Sequence, residues 1–382
     1  MSENTLDNDK RPEKLPVSVI TGFLGSGKTT LLRHLLTQDW MKDTAVVINE
    51  FGEIGLDHEL VEAAREDTIL LSSGCLCCTI RGDLIDTLRR LFKQRERGEI
   101  PAFRRLVIET TGLADPAPIL HTLIGDPLLS AFYRLDGVVT TVDAVNAMEQ
   151  FDKQIESVKQ AAVADRLLVS KSDLATTAAL SALEARLHAI NPAAPIHRII
   201  QGEIAAEQLF NAGLYNPETK SLDVQNWLHQ EAYQATATDG GHDHDHDHHD
   251  HDHGHHDHGH DDHDHAHAAH GHGHDVNRHD DHIRAFCLTH AAPLDWEKFV
   301  SWIEMLIATQ GADLLRIKGI LNVAGEEKPV AIHGIQHLFH PPVVLPDWPS
   351  ADHRSRLVFI TRDLDAAALG KSLADFQNSP II

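Results

Sequence analysis

Two short stretches carry residue types that do chemistry at a fixed spacing. Residues 22–29 read GFLGSGKT and residues 75–78 read CLCC. The first fits the G-x-x-x-x-G-K-T pattern of a phosphate-binding loop, or P-loop. Its glycines let backbone N–H groups face phosphate oxygens, Lys28 reaches the β and γ oxygens, and the Thr29 hydroxyl is a Mg²⁺ ligand; the helix start that follows adds its dipole. Gly22, Gly25, Ser26, Gly27, Lys28, Thr29 and Thr30 are therefore the nucleotide-binding candidates. Two later stretches extend the same chemistry. In LVIETTGLADP, Glu109 and Gly112 have the spacing E-x-x-G. The carboxylate can enter the Mg²⁺ shell or orient an attacking water, and the Gly112 N–H can sense a γ-phosphate. In LLVSKSD, Asp173 can accept from both N1–H and the exocyclic amine of guanine while the Lys171 stem lies along the base. Adenine presents no such donor pair, so the nucleotide is read as GTP. Lys28, Glu109 and Gly112 are the catalytic candidates. No Gln or Arg stands out as a catalytic finger, so slow intrinsic turnover is expected.

The cysteines pose a different question, because three of the four in the chain, Cys75, Cys77 and Cys78, crowd into four positions. Close-spaced thiolates bind borderline cations such as Zn²⁺. A C-x-C-C supplies at most three sulfurs, so a tetrahedral ion needs another ligand. The stretch NEFGEIGLDHEL offers Glu50, Glu53, Asp57 and His58 in a loop placed like a GTPase switch, and Glu53 is taken as that ligand. Inert buried thiols and a redox pair remain as alternative readings of the cluster.

These groups need strands and helices to position them. LPVSVITG, TAVVIN, DTILLSS, RRLVIET, LDGVVTTVD, RLLVSKSD and APIHRII are short apolar runs that read as buried strands. Helical patterns such as TTLLRHLLTQ, IRGDLIDTLRRLFKQRERG (apolar at 84, 85, 88, 91 and 92, ended by Gly98) and TAALSALEARLHAIN lie between them. Alternation of this kind predicts an α/β, doubly wound, mainly parallel sheet. In such sheets ligands sit at the carboxyl ends of the strands, which puts the cysteines near the phosphates. A second ordered region starts near Ile283. IRAFCLTH, DLLRIKGILNVAG, KPVAIHGIQHLFHP and RSRLVFITRD read as strands, and the helices DWEKFVSWIEMLIATQG (capped by Asp295, ended by Gly311) and LDAAALGKSLADF complete a small α+β domain.

Composition separates the two. The chain has 382 residues, 42% of them apolar, and a net charge of −24. Residues 239–282 hold 13 Asp against one Arg, and residues 242–282 hold 19 of the 30 histidines. Such a segment cannot bury enough apolar surface to offset its ordering entropy, and disorder is expected there without metal. Imidazole and carboxylate suit Zn, Ni, Cu and Co, so the tract reads as a low-specificity metal collector as well as a linker. His290, His333, His337, His340 and His353 read as structural or surface residues, with His333 and His337 able to face a partner. The acidic balance argues against nucleic acid, which requires clustered Lys and Arg. No apolar run approaches the ~20 residues of a membrane span, and the polar N-terminus has no signal-peptide core. A cytoplasmic protein is expected. The expected division is 1–14 as a disordered N-terminus, 15–215 as the nucleotide domain, 216–282 as the linker and 283–382 as the C-terminal domain.

In order along the chain, TGFLGSGKTTLLRHLL, INEFGEIGLD, SSGCLCCTIRGDL, VIETTGLADPAPI, LDGVVTTVDA and ADRLLVSKSDL resemble the CobW-family GTPases, a metallochaperone group that includes the zinc-regulated metalloprotein activators. LLRIKGIL and IHGIQHLFH resemble the small second domain of that family. The resemblance implies GTP hydrolysis coupled to delivery of a transition metal to a client metalloprotein, with C-x-C-C as the metal site. Zn²⁺ is the expected cargo; Co²⁺ accepts the same ligands, and cobalt delivery for cobalamin synthesis is the alternative, beside a metal buffer with a regulatory nucleotide site. A monomer, or a weak metal-dependent oligomer, is expected. Two positions depart from the pattern. Ser170 stands where the guanine motif usually begins with Asn, losing an amide that braces the loop, and Ile48 stands where some relatives carry an acidic residue.

Overall fold

The computed structural model describes residues 14–48, 69–72, 80–210 and 282–379. Cys75, Cys77, Cys78, Glu50, Glu53, Asp57, His58 and the tract up to Asp281 lie outside the described residues. The first domain is built on strands β1 (Leu15–Gly22), β2 (Thr44–Ile48), β3 (Ile69–Ser72), β4 (Arg105–Glu109), β5 (Tyr133–Asp143), β6 (Arg166–Ser170) and β7 (Ile196–Arg198). All pair in parallel, in the order β3-β2-β4-β1-β5-β6-β7. The central strands are buried almost throughout, as their unbroken Val/Ile/Leu runs require when both faces are covered. Helix α1 (Lys28–Leu36) covers one face with Leu31, Leu32, Leu35 and Leu36, packed against Ile20, Val107 and Val139. Helix α2 (Ile80–Glu96) covers the other with Leu84, Leu88 and Leu91, packed against Val19, Ile108 and Val138.

Helices α3 (Ala117–Gly125), α4 (Pro127–Phe132), α5 (Ala147–Lys153) and α6 (Ile155–Ala162) were not legible as periodic patterns. Each is two or three turns at most, too short for a 3.6-residue period to repeat. Asp126 and Pro127 explain the break between α3 and α4: the Asp126 carboxylate accepts from the N–H groups of Leu128 and Leu129 and starts a new helix. Helix α7 (Thr177–Ile190) completes the domain, with Thr176 as its N-cap.

The second domain is an antiparallel sheet of β8 (Ile283–His290), β9 (Leu314–Leu321), β10 (Val330–Ile335), β11 (Leu338–Phe339), β12 (Val343–Val344) and β13 (Ser355–Arg362). KPVAIHGIQHLFHP, expected as one strand, is a tight hairpin of β10 and β11, turned at Gln336 with φ of 51°. Helices α8 (Trp296–Gln310) and α9 (Ala366–Asn378) cover one face of this sheet. The other face packs on the first domain: Ala285, Leu315, Ile320, Ala331, Val358 and Ile360 share one apolar core with Ala161, Leu183 and Leu187. The α/β nucleotide-domain fold and the small α+β second domain are both as the sequence predicts. Among the described residues, no helix is long and apolar enough to cross a membrane.

Candidate nucleotide-binding site

Four strand ends, those of β1, β4, β5 and β6, converge on the site. The loop after β1 is held open by three left-handed glycines, with φ of 141° at Gly22, 72° at Gly25 and 90° at Gly27. Gly22 is also forced by space, since a Cβ there would lie 2.3 Å from Thr141 Oγ1. Lys28 opens α1, is 8% exposed, and folds its ammonium over the loop, donating to Gly22 O at 2.9 Å and Phe23 O at 3.1 Å. The buried Ser26 hydroxyl bonds Thr141 Oγ1 at 2.7 Å and ties the loop to β5. Thr29 Oγ1 donates to Glu109 Oε1 at 3.2 Å across the gap between α1 and the end of β4. A hydroxyl and a carboxylate in this relation are the donor set that octahedral Mg²⁺ uses beside nucleotide phosphates, so the residues present fit that ion. Thr30 is on the same first turn of α1.

Gly112 lies against the loop itself. A Cβ there would meet Leu24 N at 2.6 Å, so only glycine lets the segment after β4 approach the phosphate cradle this closely. Lys171 and Asp173 follow β6. Lys171 has a φ of 54° and its ammonium bonds Asp143 Oδ2 at 2.7 Å; Asp173 is exposed in the 3-10 turn Ser172–Leu174. Asp143 was missed by the sequence reading. Burial alone would raise its carboxyl, but Lys171, the Asn146 amide at 2.9 Å and the Val145 N–H at 2.8 Å outweigh that and hold it below the usual range. The available signal was an Asp ending an apolar strand beside the P-loop strand.

Ser170 corrects an expectation. Its hydroxyl donates to Ser26 O at 2.7 Å, so a side chain at this position does brace the P-loop. His333 corrects another: it is 4% exposed and stacked on His340 at 5.0 Å between ring centroids, so it cannot face a partner. Cys287, the one free thiol among the described residues, is pushed up to about 11 by burial, so the thiol stays protonated at neutral pH.

The "CobW/HypB/UreG, nucleotide-binding domain" model matches residues 16–198, and the "Cobalamin synthesis protein cobW C-terminal domain" model matches residues 283–377. The zinc chaperone YjiA of Escherichia coli (strain K12) is 32% identical over 346 residues, covering 91% of this chain and 93% of that protein. The chain belongs to the CobW family. Another CobW-family relative, zinc-regulated GTPase metalloprotein activator 1 of Schizosaccharomyces pombe, is 36% identical over 206 residues, 52% of this chain and 49% of that protein. The crystal structure of the Zn(II)-bound YjiA GTPase from E. coli superposes with a TM-score of 0.66 at 27% identity, covering 96% of this chain and all of that one.

Proposed function

We infer that this protein is a GTP-hydrolysing metallochaperone that binds a divalent transition metal, zinc first, and passes it to a client metalloprotein. The observation that carries the reading is the single sheet edge on which Lys28, the Thr29–Glu109 pair, Gly112 and Asp173 stand in nucleotide order. The CobW-family relatives, one named a zinc chaperone and one a zinc-regulated GTPase, support it from outside the geometry. In this reading the P-loop N–H groups and Lys28 hold the β and γ phosphates, Lys28 exchanging the carbonyls of Gly22 and Phe23 for phosphate oxygens. Thr29 and Glu109 would hold Mg²⁺, which supplies charge neutralisation on those oxygens. Gly112 reads the γ-phosphate, and Asp173 reads guanine. Cys75, Cys77 and Cys78, with Glu53, take the metal cargo, and the tract at 239–282 collects it between a nucleotide domain at 15–215 and a C-terminal domain at 283–382.

Linkage makes this testable. If GTP tightens zinc, zinc must tighten GTP by the same factor, typically ~5–150-fold. GTP titrations with and without Zn²⁺, at fixed Mg²⁺ in a protein lacking 242–282, should show that mutual effect, and Cys77→Ser with Cys78→Ser should abolish it while basal GTP affinity stays. Equal GTP affinity with and without zinc in the unsubstituted cysteine background would remove the chaperone reading.

A further inference from the structure

The γ-phosphate-reading turn has a second support that no sequence motif marks. Gln160 lies on α6, fully buried, and its side-chain amide donates to Gly112 O at 3.2 Å and Ala114 O at 3.0 Å. Both partners are carbonyls, so the NH₂ must face them and the orientation of the amide is fixed. Its neighbour Lys159 bonds Asp115 Oδ2 at 2.9 Å, one residue further along the same segment. Residues 112–115 are thus gripped between the P-loop at Leu24 and one face of α6.

The helix is a fixed base for that grip. The Gln160 carbonyl accepts from Thr140 Oγ1 of β5 at 2.8 Å. Asn191 Nδ2 donates to the carbonyls of Ala161, Ala162 and Ala164 at the end of α6, at 3.0, 3.1 and 2.9 Å. Arg316 of the second domain donates to Val163 O just beyond. Gln160 Oε1 is buried with no hydrogen-bond partner among the described residues. An apolar side chain of the same length would fill this space without that cost, so packing does not account for an amide here; its two donors do.

We propose that Gln160 is a positioning residue for GTP hydrolysis: it fixes the Gly112–Ala114 backbone so that the Gly112 N–H meets the γ-phosphate without reorganising. This rests on the reading of the site as a GTPase. It predicts that Gln160 discriminates GTP from GDP, because GDP lacks the group that Gly112 reads. Gln160→Met keeps the length and removes both donors. Its affinity for a non-hydrolysable GTP analogue should fall about tenfold, the size of two weakened buried hydrogen bonds, with GDP affinity unchanged and kcat reduced more than KM rises. Should that variant fail to fold, Lys159→Gln, which loosens the same segment from a partly exposed position, should show the same selective loss at smaller amplitude. Equal losses for the GTP analogue and GDP, or no loss for either, would reduce Gln160 to packing and overturn the inference. A wild-type protein that turns over no GTP overturns the GTPase reading instead, whereas the binding comparison needs no turnover.

Discussion

Two buried cations in this molecule are held in contrasting ways. Lys28 rests on the carbonyls of Gly22 and Phe23, in a loop of left-handed glycines. Arg316 also reaches a backbone carbonyl, Val163 O, but its guanidinium and the ammonium of Lys318 share the buried carboxylate of Asp165 as well. That carboxylate takes a further hydrogen bond from the Val138 N–H at 2.9 Å. Neutral carbonyls are partners a cation can trade for phosphate at little net cost. A carboxylate in a dry interface is not, since separating such a pair leaves a charge without solvent. The first arrangement suits a site, the second a joint between domains. Asp165 would be raised by its burial, yet Arg316 and Lys318 hold it far below the ordinary carboxylate range, as a permanent anion needs.

The contrast breaks cleanly if it is right. Lys28→Ala should lower GTP turnover about 100-fold or more, by loss of charge on the transferring group, with the melting temperature little changed. Asp165→Asn should do the reverse. It leaves Arg316 and Lys318 buried without their countercharge, at a cost of about 3–5 kcal/mol in unfolding free energy, while GTP affinity at the distant strand ends changes far less. Paired turnover assays and urea titrations measure both. An Asp165→Asn protein as stable as wild type would show that the joint is carried by the shared apolar core alone.

The two regions were also unequally legible. GFLGSGKT announces its chemistry because its glycines take positive-φ angles that strongly favour glycine at 22, 25 and 27, and Lys28 sets a long flexible cation at the start of α1. The strands were legible from their apolar runs: LPVSVITG and IRAFCLTH match β1 and β8 at both ends, and the ends of the others differ by one to a few residues. The joint was not. Asp165, Arg316, Lys318, His333 and His340 are ordinary polar residues scattered over 175 positions of sequence, and nothing short of the fold brings them together. Gln160 and Asn191 were silent for the same reason: each acts on a backbone carbonyl, and carbonyls have no sequence signature. Ser170 was legible only as a departure, and its hydroxyl bond to Ser26 O came from the structure. The cysteine cluster, the most conspicuous feature of the sequence, lies outside the described residues.

A smaller effect sharpens the joint's character. His333 and His340 stack beside Asp165, Arg316 and Lys318. Burial, then the other imidazole and the neighbouring cations, drives His333 well below its ordinary value; burial chiefly takes His340 to about 4. Both imidazoles are neutral in the fold near pH 7. Above the ordinary value of 6.5 neither state binds a proton there, and these groups add no pH dependence. Below it, the unfolded chain takes up protons that the folded chain refuses. Stability should then fall by about 1.4 kcal/mol per pH unit for each histidine, until folded His340 itself titrates near 4. Asp165 loses its contribution only at more acid pH, because its unfolded value is already 3.8. Urea midpoints at pH 7, 6 and 5 should therefore decline more steeply for wild type than for the His333→Gln, His340→Gln double variant. Parallel lines would place the acid sensitivity elsewhere in the molecule.

The smallest effect lies back at the cradle and separates two kinds of positioning. Ser170 braces Ser26 O and Gln160 braces the carbonyl of Gly112; in the proposed reading the first loop would take the phosphates common to GTP and GDP, and the second turn would meet only the third. Ser170→Ala removes the hydroxyl whose one proton is directed at Ser26 O at 2.7 Å and, more distantly, Val142 O at 3.3 Å, and leaves the Thr141–Ser26 contact in place. Both nucleotides should weaken together, by about 3- to 10-fold, the size of a single buried hydrogen bond. The ratio of their affinities should stay at its wild-type value. Fluorescent-nucleotide titrations of Ser170→Ala with GDP and with a non-hydrolysable GTP analogue test this. A selective loss of the GTP analogue in Ser170→Ala would mean that the brace acts through the γ-phosphate turn as well. The two supports would then be one, because Gly112 already presses on the Leu24 backbone of that same loop.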